Sequence, residues 1–189
     1  MSNPLQFLLD RHSVPSRQLI EPAPDDAMLR ELLAAAIRVP DHGTLVPFRL
    51  IRLAGEAKLQ FGERLAAIAL RKNPDLPEPK REKERKRYTW APLVIAVIVR
   101  LDVSGRIPDI EQRLSAGCVA HNLLLGAQAL GFGAQWLTSW AAYDHDAAAV
   151  LGLADHEHVV GFVHIGTPKI GVPNRKRPAL DDVLSTWAP

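Results

Sequence analysis

The residues best suited to chemistry in this sequence are cations gathered in short clusters. Arg11-His12-Ser13 offers a guanidinium, an imidazole and a hydroxyl side by side. Such a set suits a phosphate, because arginine presents a planar fork of donors and serine adds a short one. The alternative is the solvated end of a helix, which would carry the same residue types.

Two further cationic segments could bind the same kind of ligand. In the tail, Arg175 and Arg177 would face one anion if the segment is extended, since alternate residues then share a side. An ordinary basic tail is the alternative. Nearer the start of the chain, Arg38 precedes a proline turn that presents Asp41 and His42. His42 could donate a proton or a hydrogen bond to a ligand, whereas Asp41 could simply cap the turn.

The nucleophiles and metal-ligating residues give weaker signals. Cys118, the one cysteine, has small apolar neighbours, so we expect a buried packing residue and not a reactive thiol. His121, three residues later, is expected to be a hydrogen-bonded core residue. His156-Glu157-His158 lacks a third ligand at a recognised spacing, so we favour a surface turn over a metal site. We therefore assign no catalytic side chain and no metal.

Hydrophobic periodicity indicates the elements that must position these residues. We predict helices over 4–10, 56–71, 80–88, 110–130 and 144–151, a further helix capped by Asp25 or Asp26 and ended by Pro40, and strands over 48–53, 93–101, 134–138 and 159–165. Helices come first, then strands alternating with helices. This order predicts one α+β domain over 1–189, with a mixed, largely antiparallel central sheet flanked by helices.

The segment 110–130 is apolar on nearly every side in its second half, so we expect it to lie in the core. In a domain of this size, that pattern also indicates cover by a second subunit. Gly131 and Gly133 should end the helix. They follow a helix instead of opening one, so they are not a dinucleotide fingerprint, although glycine lets backbone approach a flat ligand closely.

Charge and hydropathy narrow the classes of partner. The net charge of +2 is too small to indicate a nucleic-acid binder on bulk electrostatics. The run from Lys80 to Arg87 holds six cations and two acids and could be a nucleic-acid patch, but the Glu82–Lys86 spacing suits a solvated helix. The sequence shows no signal-peptide pattern and no segment apolar enough to span a bilayer, so we expect a cytoplasmic protein without a membrane partner.

The order of these motifs resembles the nitroreductase family. The resemblance is carried by Arg11-His12-Ser13, 38–42, Ser115-Ala116-Gly117, Gly131-Phe132-Gly133, Gly166-Thr167-Pro168 and 175–178. It covers nearly the whole chain and is closest to a short branch of the family. It implies a nitroreductase-like fold and an intertwined homodimer with FMN bound in the interface.

The resemblance also implies a place for each cluster around FMN. The residues that would hold its phosphate and ribityl chain are Arg11, His12, Ser13, Arg175 and Arg177. Those that would reach it from the neighbouring subunit are Arg38 and His42, and those that would lie along its ring are Trp136, Leu137 and Thr138. The segment 126–131 matches one linked in this branch to nicotinamide binding.

The chemistry that the family implies needs no protein nucleophile. FMN would take a hydride from NADH or NADPH and reduce a small electrophile, such as a nitroaromatic or a quinone, in a ping-pong cycle. Arg11 or Arg17 would stabilise the negative charge that builds on the ring. Arg17 is considered because Pro15 stands where many relatives carry a basic residue. A flavin-binding protein without turnover and a nucleic-acid adaptor using 80–87 stay open as alternatives.

Overall fold

A computed structural model describes residues 3–188. The helices are α1 (Gln6–Leu9), α2 (Asp26–Ala36), α3 (Glu56–Lys72), α4 (Glu78–Lys86), α5 (Asp109–Ala129) and α6 (His145–Val150). The strands are β1 (Leu19–Ile20), β2 (Phe48–Ala54), β3 (Leu93–Arg100), β4 (Gly133–Leu137) and β5 (Glu157–Pro168). Every predicted helix and strand is present, and the short strand β1 was not predicted.

The sheet is organised around β5, its longest strand. One edge of β5 pairs with β3, which in turn pairs with β2. The other edge pairs with β4 and then, near Pro168, with β1. The predicted α+β class is confirmed. Every pairing within residues 3–188 is antiparallel, so the sheet is antiparallel throughout and not mixed.

The strand β3 separates two hydrophobic cores. Its odd-numbered residues from Leu93 to Val99 pack against α2 and α5. Its even-numbered residues from Val94 to Ile98 face α3 and α6. Burial on both faces is what the continuous apolar run predicts, because side chains alternate along a strand. The molecule therefore has two helical layers, one on each face of the sheet.

Local signals in the sequence set the helix ends and their packing. The Asp25 carboxylate caps α2 by accepting a hydrogen bond from Met28 N at 2.8 Å, as predicted. Gly131 follows α5 with φ of +81°, the left-handed backbone that glycine favours at a helix end. Within α5, a Cβ at Gly126 would collide with the Leu32 side chain, so this glycine lets α2 and α5 pack closely.

One side of α5 is turned away from the sheet and exposed. Ile110 and Leu114 are 62% and 61% exposed, and Cys118 and His121 are also exposed. The predictions that Cys118 and His121 are buried are therefore wrong for the single chain. The sheet covers one side of this helix, and a helix with apolar residues all round does not reveal in its sequence which side that is.

The prediction of a surface turn at 156–158 is also wrong, because strand β5 begins at Glu157. Glu157 begins β5 and is buried, and its carboxylate oxygens accept hydrogen bonds at 2.6 and 2.7 Å from Arg49. The Arg49 guanidinium lowers the pKa of Glu157 to about 2. In the part of the chain described, no three His, Cys, Asp or Glu residues form a group that could hold a metal ion. No helix among residues 3–188 has the length and apolar character needed to cross a bilayer.

Candidate functional site

A cavity of about 510 Å³ lies between the start of the chain, α5 and the end of β4. Its lining residues come from these three segments: Arg11, Ser13, His121, Leu124, Trp136 and Thr138. Four of them are sequence-predicted site residues, namely Arg11, Ser13, Trp136 and Thr138. The fold therefore brings together residues that are more than 120 positions apart in the chain.

The N-terminal segment is held beside β4 by backbone contacts. Val14 N donates to the carbonyl of Ala134 at 3.0 Å, and Ser16 N donates to Gln135 Oε1 at 2.6 Å. A Cβ added to Gly133 would lie 2.9 Å from Val14, closer than packed carbons approach. Glycine at this position therefore allows the close approach that places Arg11 and Ser13 over the end of β4.

The tail reaches the same place through Arg177. Its Nη2 donates to the backbone carbonyl of Arg11 at 2.9 Å and to Asn174 Oδ1 at 3.3 Å. Arg175 lies on the same exposed segment, and its backbone N–H donates to Asn174 Oδ1 at 2.9 Å. The tail therefore brings the Arg177 guanidinium to the backbone of Arg11, whose own side chain lines the cavity and can attract an anionic group.

Trp136 and Leu124 form the apolar part of the cavity wall. Trp136 Nε1 donates to the carbonyl of Val160 at 3.3 Å, which fixes the indole against β5. Gly161 makes room for that ring, because a Cβ there would collide with it. Leu124 adds an apolar side chain and Thr138 a hydroxyl. An apolar wall with a cationic rim suits a planar ligand that carries a phosphate.

Three further candidates also lie outside the lining of this cavity, as Arg175 and Arg177 do. The imidazole of His12 makes a 2.8 Å hydrogen bond through Nδ1 with the carbonyl of Asp10. Leu137 is half-buried at the end of β4. Arg17 is exposed, and its guanidinium lies 4.1 Å from the centroid of the Trp90 ring. Of the two arginines considered for stabilising negative charge, only Arg11 lines the cavity.

His42 occupies a different part of the surface, whereas Arg38 lies nearer the cavity. His42 Nδ1 lies 2.7 Å from Glu111 Oε2, in the first turns of α5. His121, which lines the cavity, is ten residues further along α5, or about 15 Å along the helix axis. Arg38 is exposed, and its backbone carbonyl accepts a hydrogen bond from Asn122 Nδ2 at 3.3 Å. Neither Arg38 nor His42 lines the cavity of its own chain.

Sequence reasoning missed His121, Leu124 and Glu111 at these two places. His121 was assigned to the core because α5 shows no clear polar side. The spacing of Leu114, Cys118 and His121, four and then three residues apart, would have placed them on one side of the helix. No local signal in the sequence joins Glu111 to His42, which lies 69 residues before it.

The most perturbed titratable groups lie on the opposite face of the sheet. His164 is fully buried, neither ring nitrogen has a hydrogen-bond partner, and burial lowers its pKa to about 4. Its ring stacks on Tyr88, whose pKa is raised by burial. Lys58 Nζ donates to the carbonyl of Ala91 at 2.6 Å, and burial lowers its pKa. These groups belong to a closed core, so their pKa shifts do not mark the ligand site.

Several cations of helix α4 and its C-terminal end form ion pairs. Arg81 pairs with Glu78, Lys86 pairs with Glu82 at 2.8 Å, and Arg87 pairs with Glu84 at 2.8 Å. Arg85 also bridges to Glu63 of α3 at 2.8 Å. The predicted Glu82–Lys86 pair is confirmed. Charges neutralised in this way favour the solvated helix over a nucleic-acid patch.

Comparison with known proteins supplies the family context. Residues 8–167 match the model of the nitroreductase family. A protein of Escherichia coli strain K12 provisionally named NAD(P)H nitroreductase YdjA is 30% identical over 166 residues, which cover 88% of each chain. A provisionally named NAD(P)H nitroreductase of Haemophilus influenzae is 34% identical over 166 residues, covering 86% of this chain and 87% of the relative.

Solved structures share the fold at lower identity. A nitroreductase-like protein from Bacillus cereus superposes with a TM-score of 0.82 at 21% identity, covering 99% of this chain and 97% of its own. A provisionally assigned nitroreductase from Desulfovibrio desulfuricans, crystallised in complex with FMN, gives a TM-score of 0.76 at 21% identity over the full length of both chains.

Proposed function

This chain belongs to the nitroreductase family of oxidoreductases, and on that premise we propose that it binds FMN in the cavity between Arg11 and Trp136. It would transfer reducing equivalents from NADH or NADPH to a small electrophile such as a nitroaromatic or a quinone. The whole chain would form one FMN-binding domain. Its location would be a reducing cytoplasm, which suits a chain whose single cysteine, Cys118, can form no intrachain disulfide.

The observation that carries the proposal is the meeting of Arg11 and Arg177 beside a flat indole wall. FMN combines a planar ring, a chain of hydroxyls and a terminal phosphate, and the cavity offers groups suited to each. The guanidinium groups suit the phosphate, the hydroxyls of Ser13 and Thr138 suit the ribityl chain, and Trp136 suits the ring. His12 and Arg175 flank the phosphate end, and Leu137 flanks the ring end.

The chemistry is divided between cofactor and protein. When bound, FMN accepts a hydride from the nicotinamide and passes two electrons to the electrophile. The protein would orient the ring and fix positive charge beside it before the reaction begins. We assign that charge to Arg11, because Arg17 is already stacked on Trp90. The nicotinamide and the electrophile would occupy the same open side of the cavity in turn, which is a ping-pong cycle.

Exposed apolar residues support a homodimer. Besides Ile110 and Leu114 on α5, the chain exposes Leu8 and Leu9 on α1, and Trp187 in the tail is 83% exposed. A monomer rarely leaves so many large apolar side chains in water. A second copy of the chain would cover the side of α5, while α1 and the tail would extend over its surface, as an intertwined dimer requires.

The position of Gly117 supports a particular arrangement of that dimer. Gly117 lies near the middle of the exposed side of α5, with no atom within 4 Å of a Cβ built there, so two helices can approach closely. A twofold axis at this point and perpendicular to the helix would make the two copies of α5 antiparallel. The segment around Glu111 would then lie opposite 121–124 of the other chain. His42 would thereby reach the cavity of the neighbouring subunit.

The absorption spectrum of the purified protein tests this proposal. We expect a yellow protein with bound FMN whose visible absorption bleaches when NADPH or NADH is added without oxygen, and returns when a quinone is added. A yellow protein that neither nicotinamide bleaches would indicate flavin binding without turnover. A colourless protein that takes up no FMN on reconstitution would contradict the proposal.

A further inference from the structure

We propose that Glu111 is a positioning residue for His42, and that it fixes which imidazole nitrogen is presented to the FMN site of the neighbouring subunit. This inference rests on the proposed function and deepens it. Its basis is the 2.7 Å contact between His42 Nδ1 and Glu111 Oε2. In the described part of the chain, no other side chain hydrogen-bonds the Glu111 carboxylate.

The backbone that carries His42 is already held by two other side chains of α5. Ser115 Oγ donates to the carbonyl of Pro40 at 2.7 Å. Asn122 Nδ2 donates to the carbonyls of Ala36 at 3.2 Å and Arg38 at 3.3 Å. With the backbone fixed, the remaining freedom of His42 is rotation of its side chain, which is 64% exposed. The hydrogen bond between His42 and Glu111, which also lies on α5, restricts this rotation.

Asp41, the residue before His42, is held by hydrogen bonds within its own loop. The Asp41 carboxylate accepts hydrogen bonds from the backbone N–H groups of Leu45 at 3.2 Å and Val46 at 2.8 Å. This carboxylate is therefore occupied by backbone donors. Glu111 is the acid that contacts the imidazole, so the tautomer of His42 is set by this residue.

The consequence for chemistry follows from the two nitrogens of a neutral imidazole. A carboxylate is an acceptor, so Glu111 requires the proton of neutral His42 to be on Nδ1. Nε2 is then left without a proton and can accept a hydrogen bond. The donors that FMN offers are ribityl hydroxyls and a ring N–H, and both suit an acceptor. Without Glu111, the imidazole would rotate and exchange between its two tautomers.

Nitrogen-15 NMR of the histidine side chains tests the pair directly. In protein labelled with ¹⁵N-histidine at a pH where His42 is neutral, we expect its signals to show the Nδ1–H tautomer, assigned by their loss in His42→Gln. Glu111→Ala should shift His42 to a mixture of tautomers. Glu111→Gln keeps a carbonyl acceptor and should largely restore the Nδ1–H form. These spectra can be recorded before FMN is added, so they do not depend on activity.

FMN affinity provides the second measurement, through quenching of flavin fluorescence. Loss of one well-placed hydrogen bond predicts binding weaker by about five- to tenfold in Glu111→Ala and in His42→Gln. Because Glu111 acts through His42, the double variant should bind FMN no more weakly than His42→Gln alone. Additive losses in the double variant would overturn the inference, as would an unchanged His42 tautomer in Glu111→Ala.

Asp109→Asn is the matched control. Asp109 is exposed and, like Glu111, places a negative charge in the first turn of α5. Its removal should leave both the tautomer and FMN affinity unchanged, which separates positioning from any effect of charge on helix stability. If Glu111→Ala does not fold, Glu111→Met, which removes the acceptor but keeps a side chain of similar length, replaces it in both measurements. Failure of the wild-type protein to bind FMN would instead contradict the proposed function.

Discussion

The two faces of the sheet differ in how completely helices cover them. The face under α3, α4 and α6 has a sealed centre, which buries even the polar side chains of Lys58, Tyr88 and His164. The face under α5 is incomplete, with an exposed apolar side on that helix and an open cavity at its end. Extreme burial and shifted pKa values therefore occur where the chain is sealed, and the ligand site lies where it is unfinished.

This difference changes how the molecule should be searched for function. Perturbed titratable groups often mark active sites, because catalysis needs tuned acids and bases. When a cofactor carries the reaction, the protein needs a shaped surface and fixed charge instead. The cavity residues here include a guanidinium, two hydroxyls, an imidazole and an indole, which suits a site that binds and orients.

The largest effect should come from placing a charge on the exposed side of α5. Leu114→Arg would put an unpaired cation into the proposed interface, which costs several kcal/mol, so we expect dimer affinity to fall roughly a thousandfold. Sedimentation velocity would show a monomer, and fluorescence titration would show weakened FMN binding. Val103→Arg places the same charge on an exposed loop residue and should leave the assembly intact. A dimer unaffected by Leu114→Arg would show that the open face is not the interface.

The burial of His164 should make the free energy of unfolding depend on pH. Burial lowers the pKa of His164 to about 4 in the folded chain, against 6.5 for a histidine in the unfolded chain. Between pH 6.5 and 4, His164 is therefore protonated in the unfolded chain but not in the folded one. The free energy of unfolding should therefore fall as the pH drops from 6.5 to 4, by on the order of 3 kcal/mol. His164→Phe should remove this part of the slope in urea titrations. His158→Phe, an exposed position on the same strand, should keep it.

Removing the cation at the cavity should have a smaller and more specific effect. Arg11→Ala deletes a charged donor, so we expect FMN binding to weaken about thirtyfold, or about 2 kcal/mol, with stability little changed. Arg17→Ala should change FMN affinity by less than about threefold, because its guanidinium lies over Trp90. Fluorescence titration measures both. Equal losses would mean that Arg17 also reaches the cofactor.

The smallest effects are expected on the outer surface of α4. Lys83→Ala removes an exposed ammonium group and should change the free energy of unfolding by less than about 0.5 kcal/mol. Arg87→Ala should cost about 1–2 kcal/mol, because it leaves the largely buried Glu84 carboxylate without its guanidinium partner. Denaturant titration of the two variants measures the difference. A large loss in Lys83→Ala would contradict the interpretation of α4 as a solvated helix.

The sequence predicted the elements well where one pattern decided the structure. The apolar run of β3 could only be a strand buried on both faces, and Asp25 was a strong cap for α2. It failed for Leu19 and Ile20, because a strand of two residues exists only through its pairing with β5. The site was predictable as residue types, but the separation of His42 from the Arg11 cavity depends on tertiary packing that no local pattern encodes.

The place of β5 in the sheet has a consequence for synthesis. This strand follows the other four in the described chain, yet β1, β3 and β4 all pair with it. A nascent chain that has not yet reached residue 157 has no central strand on which to assemble. Until β5 is available, the apolar β3 can pair only with β2. Completion of the sheet is therefore a late step of folding, because it needs contacts between residues distant in the chain.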